Sequence, residues 1–500
     1  MKPHLYQLLV GLFASLGSFL FGYDLGVIGG AVASSSFVAT FHHPSANEIG
    51  AVVSVFTGGA FFGAAVAGIT ANRLGRRWTI ILGSLIFCLG GALQTSAQNI
   101  GYLYGGRSIA GLGVGVLVMV IPLYQAEIAH PAIRGRLTGL QQLFIGFGAT
   151  TAVFTAHGTV SDFVSDNQWR VPLGIQIIPA GILAALILLF PESPRWLMDH
   201  DRQEEALQTL AKLHSNNDLN DTWVQAEYEQ IKSTIEDEKQ NGASSLYELF
   251  KDPASFRRLV LVTAIQASVQ MTGVSAIQYF SPSIYAQVGV GTAKALLYQG
   301  ISYIWGIAGQ LCTVLFIDRI GRRWPLILGN LTCSVSFIVT AAVIAVFNDS
   351  SPSAQKGLLW AFLVFGWIFQ FAFSMCCGSL SWVIPSEIFD TKTRAHGVAI
   401  GCLVSFAFNT MIGQITEPAI ASQGWRYFLL FVICNITNAI FFWAFLPETK
   451  GIPLEEMNRL FKETGWFVPA HKGKSHTTEL AVTQIAIEEK SGITHVESSP

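Results

Sequence analysis

Asn72-Arg-Leu-Gly-Arg-Arg-Trp78 returns as Asp318-Arg-Ile-Gly-Arg-Arg-Trp324, at an offset of 246 residues. Each copy stands between two long apolar runs. Two further pairs repeat in the same order. Ala126-Glu127-Ile with Arg134 answers to Ser386-Glu387-Ile with Arg394, an offset of 260 between the glutamates, and Pro191-Glu192 answers to Pro447-Glu448, an offset of 256. Three motif pairs in one order describe two copies of one unit with the same orientation. Parallel duplication is one of the repeat patterns of secondary transporters, whose substrate site lies near the bilayer midplane between the copies.

Composition sets the class. Of 500 residues, 51% are hydrophobic and only 12% charged, against roughly 25% charged in an ordinary soluble chain. Twelve spans of about 20 residues each would use nearly half the chain, in keeping with the apolar content. The net charge of −2 gives nucleic acid nothing to bind, and none is expected as a partner. All seven cysteines fall in apolar runs without metal-ligand spacing, so neither disulfides nor a metal site is expected. No cofactor is called for.

The apolar runs predict spans at 7–31, 48–71, 79–97, 101–126, 138–157, 170–190, 257–281, 294–317, 324–347, 357–383, 396–420 and 425–446, numbered 1 to 12 below. Each must be helical, because lipid offers backbone groups no other partner. The first is too long for a cleaved signal and is read as retained. Basic residues gather after spans 2, 4, 8 and 10, at Arg73, Arg76, Arg77, Arg134, Arg136, Arg319, Arg322, Arg323, Lys392 and Arg394. That asymmetry predicts both termini in the cytoplasm. A long polar insert, 191–255, has helix-like stretches at 203–213 and 223–239, and the last thirty residues of the tail read as disordered. The expected organisation is an all-α membrane protein. Residues 1–190 and 256–452 form the two six-helix halves, 191–255 a cytoplasmic helical linker and 453–500 a cytoplasmic tail.

Two charges lie inside spans. Asp24 is about seven residues from one end of span 1, and Arg107 about six from the same-side end of span 4. Alone, each costs roughly 2.5–3.5 kcal/mol on insertion scales, and such residues usually mark an ion or proton path. The alternative is a purely structural ion pair. Gly22, Gly26 and Gly30, with Gly111 and Gly115 facing them, are expected to bring spans 1 and 4 close together. Glu127 and Glu387 sit where they can pair with the duplicated arginines. Such pairs would hold the inner side shut and break on opening, or the arginines simply set topology.

In Gly22-Tyr-Asp-Leu-Gly-Val-Ile-Gly29, Arg73–Arg77, Gly106-Arg107, Pro191-Glu-Ser-Pro-Arg-Trp-Leu197, Asp318–Arg323, Trp382 with Glu387 and Arg394, and Pro447-Glu-Thr-Lys-Gly451, the chain resembles the sugar porters of the major facilitator superfamily. The tone of the sequence is fungal. The resemblance implies alternating access, a monosaccharide and a proton as cargo, a lipid bilayer as the only other partner, and a plasma-membrane protein working as a monomer. It places the proton path at Asp24 and Arg107, because proton-coupled members have an aspartate there. The substrate candidates are Gln141, Gln142, Gln270, Ser275, Gln278, Tyr279, Trp382 and Asn409, of which Gln142, Gln270, Trp382 and Asn409 match family positions that touch sugar. Gating candidates are Arg73, Arg76, Arg77, Glu127, Arg134, Glu192, Arg195, Asp318, Arg319, Arg322, Arg323, Glu387, Arg394 and Glu448. Departures fall in the pocket: Val269, Ser275, Gly306 and Phe406 replace family amides or a tryptophan. These losses leave the sugar open among hexose, pentose, deoxy sugar, uronic acid or a larger cargo. A passive uniporter and a non-transporting sensor are the rival readings; no nucleophile–base or metal cluster suggests an enzyme.

Overall fold

A computed structural model describes residues 3–215, 217–240, 247–389, 393–450 and 454–469, with the side chains of 3, 4, 131–139, 237–240, 248, 318, 386, 395, 454–456 and 458 left aside. The last thirty residues of the tail lie outside this range. The described chain contains twelve membrane-length apolar helices. The first six are Leu5–Ala33, Ala46–Leu74, Arg76–Thr95, Ile100–Ile128, Leu140–Asp162 and Asn167–Leu189. After the insert come Pro253–Ala286, Thr292–Ile317, Arg323–Phe347, Pro352–Pro385, His396–Gln423 and Arg426–Phe445. No strand occurs among the described residues.

Polar caps set several helix starts, where the first turn's N–H groups lack partners. Ser45 and Glu48 form a capping box at span 2, the backbone N–H of Ser45 donating to Glu48 Oε2 at 2.7 Å. Asn99, Asp252 and Ser351 cap spans 4, 7 and 10 through their side-chain oxygens.

Breaks inside spans were not visible as changes in hydropathy. Span 7 is interrupted at Gly273, whose φ of +91° is left-handed. A Cβ there would meet the Phe337 ring at 2.6 Å and Phe431 at 2.8 Å, so glycine answers both conformation and space. Span 10 contains a π-helical turn, Phe373–Gly378, of the kind often found at functional sites.

The glycines of span 1 do not face span 4. Cβ atoms at Gly22 and Gly26 would strike the backbone of Ile145 and Ala149 on span 5, while Gly111 and Gly115 press on Phe56 and Ala60 of span 2. Helical spacing gives the reason. Gly22 and Gly26 share a stripe, but Asp24 stands two residues off it, about 200° around a helix of 3.6 residues per turn. The acid and the glycines therefore serve different neighbours.

Hydrogen bonds joining the halves gather toward the end away from the duplicated arginines. Ser54 Oγ donates to Gln414 Oε1 at 2.6 Å, Thr410 Oγ1 to Thr57 Oγ1 at 2.9 Å, and His157 Nδ1 lies 2.8 Å from the Ala293 carbonyl. Gly29 there rests on the Tyr279 backbone.

Three helices of the insert, Pro194–Asp199, Gln203–His214 and Thr222–Gln240, pack around Trp196, Leu197, Leu210, Val224 and Ile235, and a short fourth, Glu248–Lys251, precedes span 7. The insert docks on the arginine-rich end: Gln7 Nε2 donates to the Leu213 carbonyl at 2.8 Å, and Trp196 Nε1 to that of Asn72 at 2.9 Å. A last helix, Leu454–Glu463, packs beneath the second half, where Arg257 donates to the Thr464 carbonyl at 2.6 Å.

Candidate functional site

Spans 1 and 4 bring Asp24 and Arg107 together, both fully buried. Arg107 Nη1 donates to Asp24 Oδ1. The guanidinium is held from three other sides: Nε donates to the Val52 carbonyl at 3.0 Å, Nη1 reaches Gln94 Oε1 at 3.5 Å, and the Phe56 ring centroid lies 4.3 Å from Cζ. The contact is single rather than the bidentate fork of the strongest pairs. Asp24 Oδ2 and Arg107 Nη2 find no hydrogen-bond partner among the described residues. Arg107 is thus anchored by span 2, and Asp24 has one oxygen to spare.

A cavity of about 110 Å³ lies between the halves; one water needs roughly 10–15 Å³ by the same measure, so a sugar-sized group of atoms has room. Of the substrate candidates, Gln142, Gln270, Gln278, Trp382 and Asn409 line it. Ser275 and Tyr279 stand behind that lining. Ser275 Oγ donates to Gln270 Oε1 at 2.5 Å and Tyr279 OH to Asn409 Oδ1 at 3.1 Å. They fix the amides rather than face the space. Gln141 is buried but outside the lining. Gln141 stands about 100° around the helix from Gln142, and here that rotation takes it out of the lining.

Sequence reading missed Gln266, Gln310, Gln370, Ser374 and Ser405, which also line the cavity. Gln266 Nε2 donates to the Ser381 carbonyl at 2.9 Å, Gln142 Nε2 to that of Gly378 at 3.2 Å, and Gln270 Nε2 to Ser405 Oγ at 3.0 Å. Amide count within spans was the available clue. Glu417, another charge inside a span, was passed over as well. Ser283 Oγ donates to its Oε1 at 3.0 Å, tying span 7 to span 11 beyond the cavity. None of the residues lining the cavity is charged.

At the arginine-rich end the duplicated motifs form duplicated brackets. Arg76 donates to Glu127 at 2.8 Å and to the Ala71 carbonyl at 3.2 Å. Arg322 donates to Glu387 at 2.9 Å and to the Ile317 carbonyl at 3.3 Å. Glu192 accepts the backbone N–H groups of Arg76 and Arg77 at 3.0 and 3.1 Å; Glu448 accepts those of Arg322 and Arg323 at 2.9 and 3.2 Å. Each glutamate therefore places its carboxylate at a helix start, where unpaired N–H groups and the dipole favour an anion. Burial pushes the Glu192 carboxyl above its ordinary range, against those backbone donors and Arg77. These pairs connect helices of one half to each other; they do not bridge the halves. Arg73 and Arg319 are exposed, Arg195 is half-buried on the insert's first helix, and Arg394 donates to the Phe389 carbonyl at 3.2 Å. The side chains of Arg134 and Asp318 lie outside those described. No cluster of three metal-ligating side chains occurs among the described residues.

The family profile described as "Sugar (and other) transporter" matches residues 10–461. The MFS-type transporter criB of Aspergillus cristatus is 32% identical over 91% of this chain and 93% of its own. The quinate permease of Emericella nidulans is 31% identical over 92% of this chain and 89% of its own. Among solved structures, the proton:xylose symporter XylE bound to 6-bromo-6-deoxy-D-glucose superposes with a TM-score of 0.74 at 25% identity, covering 92% of this chain and 99% of that one. With its two six-helix halves, its duplicated brackets and a cavity between them, the chain belongs to the sugar transporter family of the major facilitator superfamily.

Proposed function

We propose that this chain imports a neutral monosaccharide together with a proton, as a monomer in the plasma membrane with both termini in the cytoplasm. The observation that carries the proton is the buried Asp24–Arg107 pair, in which one carboxylate oxygen is engaged and the other is not. An ion pair removed from water is stable only while both charges stay compensated. A proton on Asp24 frees Arg107 to keep its contacts with Val52, Gln94 and Phe56; loss of the proton restores the pair. The pair is thus a two-state element that proton occupancy biases.

The sugar is assigned to the amide-lined cavity, with Gln142, Gln270, Gln278, Trp382 and Asn409 in contact and Ser275 and Tyr279 positioning them. Most hydrogen bonds between the halves lie at the end away from the arginines, with Gln142 to the Gly378 carbonyl adding one at the cavity, and we read the arrangement as one state of an alternating-access cycle. Passage to the alternate state is a rocking of one half on the other. The brackets of Arg76–Glu127–Glu192 and Arg322–Glu387–Glu448 serve it by keeping each half rigid, with Arg394 in a supporting role and Arg73, Arg195 and Arg319 setting the charge of the inner surface. The fold neighbour is a proton:xylose symporter by its description, which supports the proton and the sugar alike.

The test is uptake of labelled hexoses, pentoses, rhamnose, galacturonate and quinate by cells or proteoliposomes holding the full chain, with and without an uncoupler. A neutral sugar accumulates above equilibrium and the uncoupler collapses the gradient. Uptake that only equilibrates and ignores the uncoupler would overturn symport in favour of passive uniport.

A further inference from the structure

Span 8 contributes a hole to the cavity wall. A Cβ at Gly306 would stand 3.0 Å from Gln370 Nε2 and 3.1 Å from Ser374 Oγ, both on span 10. Where span 8 offers no side chain, span 10 reaches into the space. Gln370 is 3% exposed and lines the cavity. Its Nε2 lies 3.4 Å from Ser374 Oγ, while its Oε1 is buried without a hydrogen-bond partner among the described residues. Gln310, one turn along span 8, repeats the arrangement: its Oε1 lies 2.9 Å from where a Cβ on Gly146 would stand, and has no partner either.

A buried amide oxygen left unmade costs about 1–3 kcal/mol. Two of them at one cavity are offset when a molecule carrying hydroxyl donors enters. An acid is a poor occupant. Its carboxylate would need a cation, and no charged side chain lines the space; the buried guanidinium of Arg107 is committed to Asp24, Val52 and Gln94.

We propose that Gln370, admitted by Gly306, is a specificity-determining residue that accepts a hydrogen bond from one hydroxyl of a neutral sugar ring, and that the cavity rejects the ring's carboxylate counterparts. This rests on the reading that the cavity carries a monosaccharide. A site that hydrogen-bonds one hydroxyl discriminates strongly against the analogue lacking it.

The experiment pairs the residue with the hydroxyl. Full-length protein in detergent is titrated calorimetrically with glucose, galactose, xylose and rhamnose, then with the monodeoxy analogues of the tightest binder, and with quinate and galacturonate. In the unaltered protein one deoxy analogue binds at least tenfold more weakly than its parent. In Gln370→Ala the parent weakens at least tenfold and that ratio falls below twofold, while ratios for the other analogues hold. Gln370→Asn, which withdraws the same oxygen by one methylene, gives the same collapse if the alanine variant does not fold. Deoxy ratios that stay the same in both variants overturn the assignment and leave sugar transport standing. Quinate binding with no neutral sugar bound overturns the transport reading and this inference together.

Discussion

In the first half Arg76 leans on Glu127 and the loop N–H groups on Glu192; in the second, Arg322 leans on Glu387 and the loop on Glu448, nearly bond for bond. At mid-membrane the likeness ends. The first half holds a charged pair, Asp24 with Arg107. The second holds amides and hydroxyls: Gln266, Gln270, Gln370, Ser405 and Asn409. Two copies of one unit that agree at one end and differ in the middle separate what the fold requires from what the cargo requires. Bracing a helix turn against a carboxylate is the same mechanical task in both halves. A buried charged pair and a wall of amides are different fittings: the pair lies wholly in the first half, whereas the amides come mostly from the second, with Gln142 of the first joining them.

The division breaks most visibly at the charged pair. Asp24→Asn is expected to abolish accumulation against a gradient while sugar exchange continues, and to lower stability by about 3–5 kcal/mol because Arg107 is left buried without its counter-ion. Asn409→Ala, in the second half, should do the reverse: KM rises tenfold or more, and what uptake remains is still concentrative. Tracer counterflow and accumulation ratios measure both. Uphill uptake surviving in the Asp24 variant would remove the ionic role from the first half.

A smaller contrast tests the brackets themselves. The Arg76–Glu127 pair is 9% exposed on both sides, whereas Arg322 and Glu387 are 12% and 26% exposed. Glu127→Gln should therefore cost about 3 kcal/mol, as when one partner of a buried pair is removed. Glu387→Gln should cost about 1 kcal/mol, nearer the surface-pair range. Thermal unfolding in detergent, monitored for both variants, checks the order. Equal losses would mean that burial is not what distinguishes them.

Much of this was readable from the chain because membrane solvation is so restrictive. Twelve apolar runs have one secondary structure open to them, and the observed helices follow the predicted limits to within three residues except at span 5, which ends five later, span 7, which starts four earlier and ends five later, and span 10, which starts five earlier. Asp24 and Arg107 were legible because charge in lipid is rare. The cavity was less so. Amides are common packing residues, and nothing local told Gln142, which lines it, from Gln141, which does not. Gln370 was hidden because its reach depends on an absence one helix away, at Gly306. The breaks at Gly273 and in the π-turn of span 10 leave hydropathy unchanged and cannot be seen in it. The glycines of span 1 misled for a reason that the sequence did contain: their stripe runs opposite Asp24, and the spacing says so.

The smallest contrast expected is none at all. Gly75 has φ +90° and ψ +166°, and Gly321 φ +95° and ψ −172°, a region essentially closed to residues with a Cβ and worth about 1–3 kcal/mol of strain when one is forced there. Space is matched too: the added carbon would lie 2.6 Å from Glu192 Oε2 in one loop and 2.7 Å from Glu448 Oε2 in the other. Gly75→Ala and Gly321→Ala should therefore destabilise by the same amount, about 2 kcal/mol, within the scatter of such measurements. The double variant should add the two losses, because the loops lie in separate halves and share no partner. A difference above about 1 kcal/mol between the single variants would mean that the two brackets, alike in their bonds, are not alike in what their halves require of them.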